Sequence, residues 1–351
     1  MQTRSRITMA DVAREAGVST ATVSFVLNNT KAVTPAVQAR VEAAVQALGY
    51  RPSHAAQALR TGRSLALGLI IPDLTNPFFP KLAQDIEQEA RTRGYAVLLA
   101  DSHDDPALQQ EHLGTLAQRG VDVLLVVPAV GTDDTLTADV PLIAIDRAAG
   151  DTPLVHSDKR QGGQIAAQHL LDLGHREFAV LAGPSRHGGV GERVRGMLGT
   201  LERAGVPVRK GRIYESDYSL LAGREGARHL LQTAPGFTAL LAANDTLALG
   251  ALSALTEAGI TVPGQVSLVG FDDIPWSALS APSLTTVRQD TRQMARQAIE
   301  LALQTVNAPQ VAPLPVGTTL TVRGSTAPVT TPGPLPPGPL PDPGHRPLEN
   351  A

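Results

Sequence analysis

The sequence predicts a two-part chain: a small helical unit of helix-turn-helix type, then an α/β body of two lobes built on parallel sheets. Three observations carry this. First, basic residues crowd the N-terminal sixth. Residues 1–64 hold Arg4, Arg6, Arg14, Lys31, Arg40, Arg51, Arg60 and Arg63 against Asp11, Glu15 and Glu42. That is +5 in a chain of net charge −3, so the remainder carries −8. A basic arm on an acidic body suits a polyanionic partner for the arm alone. Second, Gly17 interrupts two short amphipathic patterns. Third, from residue 65 onward, short apolar runs alternate with longer helical ones.

The first helix starts at Thr8-Met9-Ala10-Asp11, a capping-box arrangement, and buries Val12, Ala13 and Ala16. Gly17-Val18-Ser19 breaks it, and Ser19 caps a second helix over Thr20–Leu27 with Val23, Val26 and Leu27 inward. A third begins at Thr34-Pro35, buries Val37, Val41, Val45 and Leu48, and ends at Gly49. In helix-turn-helix geometry the second helix enters the major groove by its N-terminal residues. Ser19, Thr22, Ser24 and Asn28 are short hydrogen-bonding residues suited to phosphates, while Thr20 and Ala21 suit base edges and thymine methyl groups. Phe25 also faces outward.

The segment 51–60, RPSHAAQALR, is Ala-rich yet too short for a stable isolated helix. It reads either as a plain linker helix or as one that folds on DNA. In the second case Leu59 is an apolar wedge for the minor groove and Arg60 suits that groove's negative potential.

The expected strands of the body are 65–71, 96–101, 121–127, 141–146, 177–183, 212–216, 239–245 and 265–273. They are apolar throughout rather than alternating, the pattern of parallel strands covered on both faces. Helical patterns occupy 77–93, 106–119, 159–173, 190–204, 219–233 and 246–258, several followed by Gly at C′. So many strands fit two sheets better than one, with a ligand cleft between them. The expected domains are 7–52 (headpiece), 53–63 (hinge helix and linker), 64–326 (two-lobed body) and 327–351, a Pro/Gly-rich tail whose composition predicts disorder.

No apolar run reaches membrane-spanning length, the N-terminus lacks a secretory pattern, and cysteine is absent, which together suggest the cytoplasm. No GxSxG, P-loop or HExxH pattern is present, and the histidines lack metal-ligand spacing, so an enzyme is not expected.

ITMADVAREAGVSTATVSFVLNN, with VEAAVQALGYRPSHAAQALRTGRS after it, resembles the LacI/GalR family of bacterial regulators. The likeness continues through NPFF (76–79), AIDR (144–147), HSD (156–158), LGHREFAVLAGP (173–184), AAND (242–245), PGQVSLVGFDDIP (263–275), PSLTTVRQD (282–290) and TVRGST (321–326). It implies a homodimer on a palindromic operator in double-stranded DNA with a central CpG step. It also implies a body like a periplasmic sugar-binding protein and no cofactor beyond a small-molecule effector. Thr20, Ala21 and Phe25 take the place of base readers, and Ser53 to Arg60 that of the hinge helix. Thr8, Ser53, His54 and Ala56 join the DNA-contacting set, and Leu59 matches an intercalating leucine. Many relatives carry Arg or His where this chain has Phe25, so readout there is apolar or absent.

Asn76, Phe78, Phe79, Asp146, Arg147, Arg193, Asp245, Asp272 and Gln289 fall at strand ends or helix starts, where open α/β sheets bind ligands. By resemblance they match effector positions and look like a pentose-binding set. Carboxylates, guanidinium forks and aromatic faces also suit a hydroxyl-rich molecule. Asn76 and Asp158 read equally as helix caps, and Phe78 and Phe79 as core. The function expected is a repressor of carbohydrate-uptake or catabolic genes released by a sugar. A corepressor-dependent regulator of purine-repressor type, or one that docks a phosphoprotein, is the alternative.

Overall fold

A computed structural model describes residues 7–28, 31–50, 63–132, 134–184, 191–305 and 314–329. The hinge positions Ser53, His54, Ala56, Leu59 and Arg60 lie outside these residues, as do 330–351 of the expected tail. The chain divides into two compact units, 1–65 and 66–351.

The first unit holds α1 (Met9–Ala16), α2 (Thr20–Asn28) and α3 (Pro35–Leu48). Thr8 forms a reciprocal capping box with Asp11, and Gly17 closes α1 in the left-handed region at φ 63°. Oγ of Ser19 accepts from the Thr22 amide at 3.1 Å and so caps α2. Pro35 opens α3 and Gly49, at φ 61°, ends it. Val12, Ala13, Ala16, Val23, Val41 and Ala44 form the core.

The second unit runs β1 (Ala66–Ile71), α4 (Phe78–Thr92), β2 (Ala96–Asp101), α5 (Pro106–Gln118), β3 (Val123–Val126), β4 (Leu142–Ile145) and β5 (Leu154–Val155). It continues with α6 (Lys159–Asp172), β6 (Phe178–Ala182), α7 (Glu192–Arg203), β7 (Ile213–Glu215), α8 (Leu220–Thr233), β8 (Ala239–Ala242) and α9 (Asp245–Glu257). β9 (Ser267–Asp272), α10 (Pro275–Leu279), β10 (Thr285–Gln289), α11 (Thr291–Thr305) and β11 (Thr318–Thr321) complete it. Lobe 1 carries a five-stranded sheet in the order β2-β1-β3-β4-β5, and lobe 2 a six-stranded sheet in the order β11-β10-β9-β8-β6-β7. All pairings are parallel except β10 with β11.

The chain crosses between lobes three times: after β5, after β10 into α11, which packs on α4, and back into β11. The crossings are laced together. Val316 donates its amide to His156 O at 2.8 Å and accepts from the Asp158 amide at 2.7 Å.

Three expectations need correction. β2 is an edge strand with Leu98 and Leu99 exposed, so an apolar run does not here mean cover on both faces. The strands β5, β10 and β11 and the helices α10 and α11 go unread in the sequence, since β10 and β11 are rich in Thr and β5 spans two residues. The ordered body runs past 326: Val329 N donates to Leu173 O at 2.9 Å, and Ala327 O accepts from Ser267 Oγ at 3.2 Å.

Glycines set how closely the helices of lobe 2 approach. A Cβ on Gly163 of α6 would lie 2.0 Å from the carbonyl oxygen of Arg193 on α7, and one on Gly196 would lie 2.2 Å from that of Arg160. Backbone thus packs on backbone at the start of α7. Gly163→Ala is expected to overpack this contact at a cost of roughly 1–3 kcal/mol. For a domain of this size each kcal/mol lowers Tm by roughly 2–4 °C. Thermal unfolding by circular dichroism checks this, and an unchanged Tm would mean the helices do not meet so closely.

Candidate functional site

On the headpiece, Thr20 and Ala21 at the start of α2 are exposed, as base readers must be, while Thr22, Ser24 and Phe25 are half-buried. Oγ of Ser19 lies 2.9 Å from Oγ1 of Thr22, so these two hydroxyls already share a bond. Thr8 is committed to its capping box through Oγ1, 2.7 Å from Oδ2 of Asp11. Nζ of Lys31 stands 5.6 Å from the ring centroid of Phe25, which places a cation beside that ring.

The second site is a cavity of about 520 Å³ between the two lobes of the body. Asn76, Phe78, Phe79, Asp146, Arg147, Arg193 and Asp272 all line it. Parallel strands bring the ends of β4 and β9 to the same cleft, where Asp146 directly follows β4 and Asp272 ends β9, both with left-handed backbone at φ 66° and φ 117°. Such conformations cost of order 1–3 kcal/mol and persist only where surroundings fix them.

The surroundings are charged. Oδ1 of Asp272 lies 3.0 Å from Nη1 of Arg193 and accepts from Nε2 of Gln289 at 2.7 Å. Arg193 also donates to Ala243 O at 2.8 Å and stands 4.2 Å from the centroid of the Phe271 ring. Across the cleft, Arg147 meets Asp104 at 2.7 Å and the Phe79 ring at 5.7 Å. Asp146 lies 2.8 Å from Nζ of Lys159, although its Oδ1 has no directed hydrogen bond. The Tyr218 ring presses on Gly183, where a Cβ would come within 2.1 Å of it.

Burial pushes the Asp272 carboxyl up to about 6 despite Arg193 beside it. Burial acts on Asp146 too, but Lys159 and then Arg193 outweigh it and hold that carboxyl below its ordinary range. Burial lowers Lys159, with Asp146 opposing, and raises the Tyr218 phenol.

Two expected effector residues do not reach the cavity. Asp245 is fully buried and its carboxylate accepts three hydrogen bonds. Oδ2 accepts from Ile274 N at 2.9 Å and Ser277 Oγ at 2.6 Å, and Oδ1 from Thr286 Oγ1 at 2.5 Å. Its neighbour Asn244 lines the cavity instead, since Asn244 is the N-cap of α9 and Asp245 follows it inward. Gln289 sits behind Asp272, with Oε1 accepting from Ser157 Oγ at the crossover. Asp158 caps α6 and also lines the cavity, so those two readings are compatible, whereas Asn76 lines it from one residue before the N-cap Pro77 of α4, accepting from the Phe78 amide at 3.2 Å. Lys159 and Tyr218 were missed: a lone Lys after a capping Asp, and a lone Tyr in a polar turn, carry no sequence signal. Among the described residues no group of His, Asp and Glu is placed to hold a metal, and no helix is long and apolar enough to cross a membrane.

Burial, with Asp272 adding to it, pushes the Asp245 carboxyl up to about 7. Both raised carboxyls bind protons more tightly in the folded chain than in the unfolded one. Their contribution to stability is full below the ordinary carboxylate value near 4 and is lost as pH rises, through about 6 for Asp272 and about 7 for Asp245. Asp245→Asn is therefore expected to lose less stability between pH 5 and pH 8 than the wild type. Denaturant unfolding at the two pH values measures this, and equal losses would show that Asp245 titrates normally.

Residues 8–53 match the family described as bacterial regulatory proteins, lacI family, and residues 167–326 match a periplasmic binding protein-like domain. The HTH-type transcriptional repressor PurR of Actinobacillus pleuropneumoniae serotype 3 is 34% identical over 308 residues, covering 85% of this chain and 91% of the relative. The ribose operon repressor of Escherichia coli is 33% identical over 309 residues, covering 86% and 94%. The crystal structure of the lac repressor dimer bound to operator and the anti-inducer ONPF superposes with a TM-score of 0.83 at 29% identity, over 92% of this chain and all of that one. The complex of the regulator CelR with cellobiose gives 0.67 at 30% identity, over 91% and all. The headpiece, the two-lobed body and these relatives agree: the chain is a DNA-binding transcriptional repressor of the LacI family, not an enzyme.

Proposed function

We propose that this repressor binds a palindromic operator as a homodimer and releases it when a neutral, hydroxyl-rich effector, a pentose-sized sugar, enters the cavity between the lobes. The observation that carries the reading is the meeting of Asp146 and Asp272, from strand ends of opposite lobes, with Arg147, Arg193, Phe78 and Phe79. Vicinal hydroxyls donate to carboxylates and accept from guanidinium N–H groups, and the C–H faces of a sugar lie on aromatic rings. The Asp146 carboxylate, with Oδ1 2.8 Å from Lys159 Nζ, keeps further lone pairs that such a hydroxyl can meet. The ribose operon repressor among the relatives supports the same class.

A second reading has its own observation. Phe78, Phe79 and Tyr218 put three aromatic residues in the cavity lining, which suits a flat purine, and the PurR relatives are as similar as the ribose repressor. In that reading the effector strengthens operator binding instead of ending it.

In the sugar reading, effector contacts with both lobes favour their closure. The shift reaches the hinge segment 53–60, where Leu59 and Arg60 serve the minor groove, and operator affinity falls. Couplings of this kind are worth roughly 1–3 kcal/mol, or up to about 150-fold in affinity. Thr20, Ala21 and Phe25 read base edges, while Ser19, Thr22, Ser24 and Asn28 set register on phosphates.

A gel shift on the DNA upstream of the gene, with D-ribose or hypoxanthine added, tests this. Ribose is expected to release the wild-type protein and to have no effect on Arg193→Ala, which still shifts the DNA. Tighter binding with hypoxanthine and none of the ribose effect would move the assignment to the purine reading.

A further inference from the structure

Four ion pairs stand around the cavity. Among the described residues, Arg147 meets Asp104, Arg193 meets Asp272, Arg195 meets Glu192 at 2.7 Å, and Lys159 meets Asp146. The last pair differs from the others because it joins the lobes. Asp146 directly follows β4 of lobe 1, and Lys159 is the first residue of α6, which packs in lobe 2. Nζ of Lys159 lies 2.8 Å from the carboxylate and donates to the backbone carbonyl of the same residue at 2.7 Å. The Asp146 side chain is 4% exposed and that of Lys159 17%, so water screens the pair poorly. A neutral side chain at 159 would leave a buried carboxylate with only the more distant Arg147 and Arg193 for compensation, and with Asp272 opposing it.

We infer that Lys159 determines effector specificity: as the internal counter-ion of Asp146 it keeps the cavity electrically balanced, and so admits neutral polyhydroxyl molecules while rejecting cationic amino sugars. This rests on the reading of the cavity as a sugar site. A hydroxyl can donate to the remaining lone pairs of Asp146 while Nζ stays in place. A ligand ammonium must compete with Nζ for the same oxygen or stand beside it, like charge against like.

The test uses the full chain as wild type, Lys159→Met, Lys159→Arg and the double variant Lys159→Met with Asp146→Asn. In the ligand-free protein the Asp146 carboxyl is titrated by carbon-detected NMR and assigned by its loss in Asp146→Asn. Lys159→Met is expected to raise its midpoint by at least about one pH unit, and Lys159→Arg to leave it near the wild-type position. Calorimetry then compares D-ribose with 2-amino-2-deoxy-D-ribose. The ratio of their affinities should shift by about tenfold or more toward the amino sugar in Lys159→Met and return in the double variant.

An unmoved Asp146 midpoint, or an unchanged affinity ratio, in Lys159→Met overturns the inference. If the wild type binds neither sugar, the sugar reading fails while the titration still decides whether Lys159 is the counter-ion. If Lys159→Met does not fold, the double variant, free of the lone charge, is expected to fold. A double variant that is equally unfolded means that Lys159 acts through packing and also overturns the inference.

Discussion

A carboxylate buried at the end of a parallel strand loses several kcal/mol of hydration unless a cation or a set of donors meets it. Two such groups, Asp146 and Asp272, stand at the cleft of this repressor, both on left-handed backbone that turns the side chain inward. Much of the surrounding structure answers that constraint. Arg193 reaches Asp272 because glycines let α6 and α7 touch through their backbones at Gly163 and Gly196. Lys159 reaches Asp146 because the chain has just crossed between lobes and starts a helix there.

The contrast with Asp245 shows that residue type does not decide the role. Asp245 is an aspartate like Asp272 and lies nearby, yet three donors close around it and it staples α10 and β10 to α9. Asp272 shares one oxygen between Arg193 and Gln289 and faces the cavity. Gln289 extends that oxygen's bonding to Ser157, whose backbone pairs with Val316 at the crossovers. The cavity and the interlobe crossovers are therefore one hydrogen-bonded system, which fits a protein that couples ligand binding to lobe motion.

Much of this was legible in the sequence. The headpiece helices were readable because their caps are local: Thr8, Ser19, Gly17 and Gly49 each act within a few residues. The buried parallel strands announced themselves by unbroken apolar runs. What escaped depends on contacts distant in sequence. Thr-rich β10 and β11 are strands because of their neighbours, and β2 is half-exposed because it lies at a sheet edge. Of the effector set, Asn76, Phe78, Phe79, Asp146, Arg147, Arg193 and Asp272 meet at one cavity, while Asp245 and Gln289 stand behind it. Lys159 could not be found from sequence, since only the fold brings it to Asp146, thirteen residues away.

The occupant we propose for the cleft between the lobes is a neutral sugar. Trp276, the chain's one tryptophan, lies four residues beyond Asp272 on α10 and is exposed, so its fluorescence offers a label-free signal near the cleft. Titrating the full-length protein with D-ribose should give a saturable change fitting one site per chain, abolished in Arg193→Ala. A flat response to ribose, alongside a saturable response to hypoxanthine, would contradict the claim.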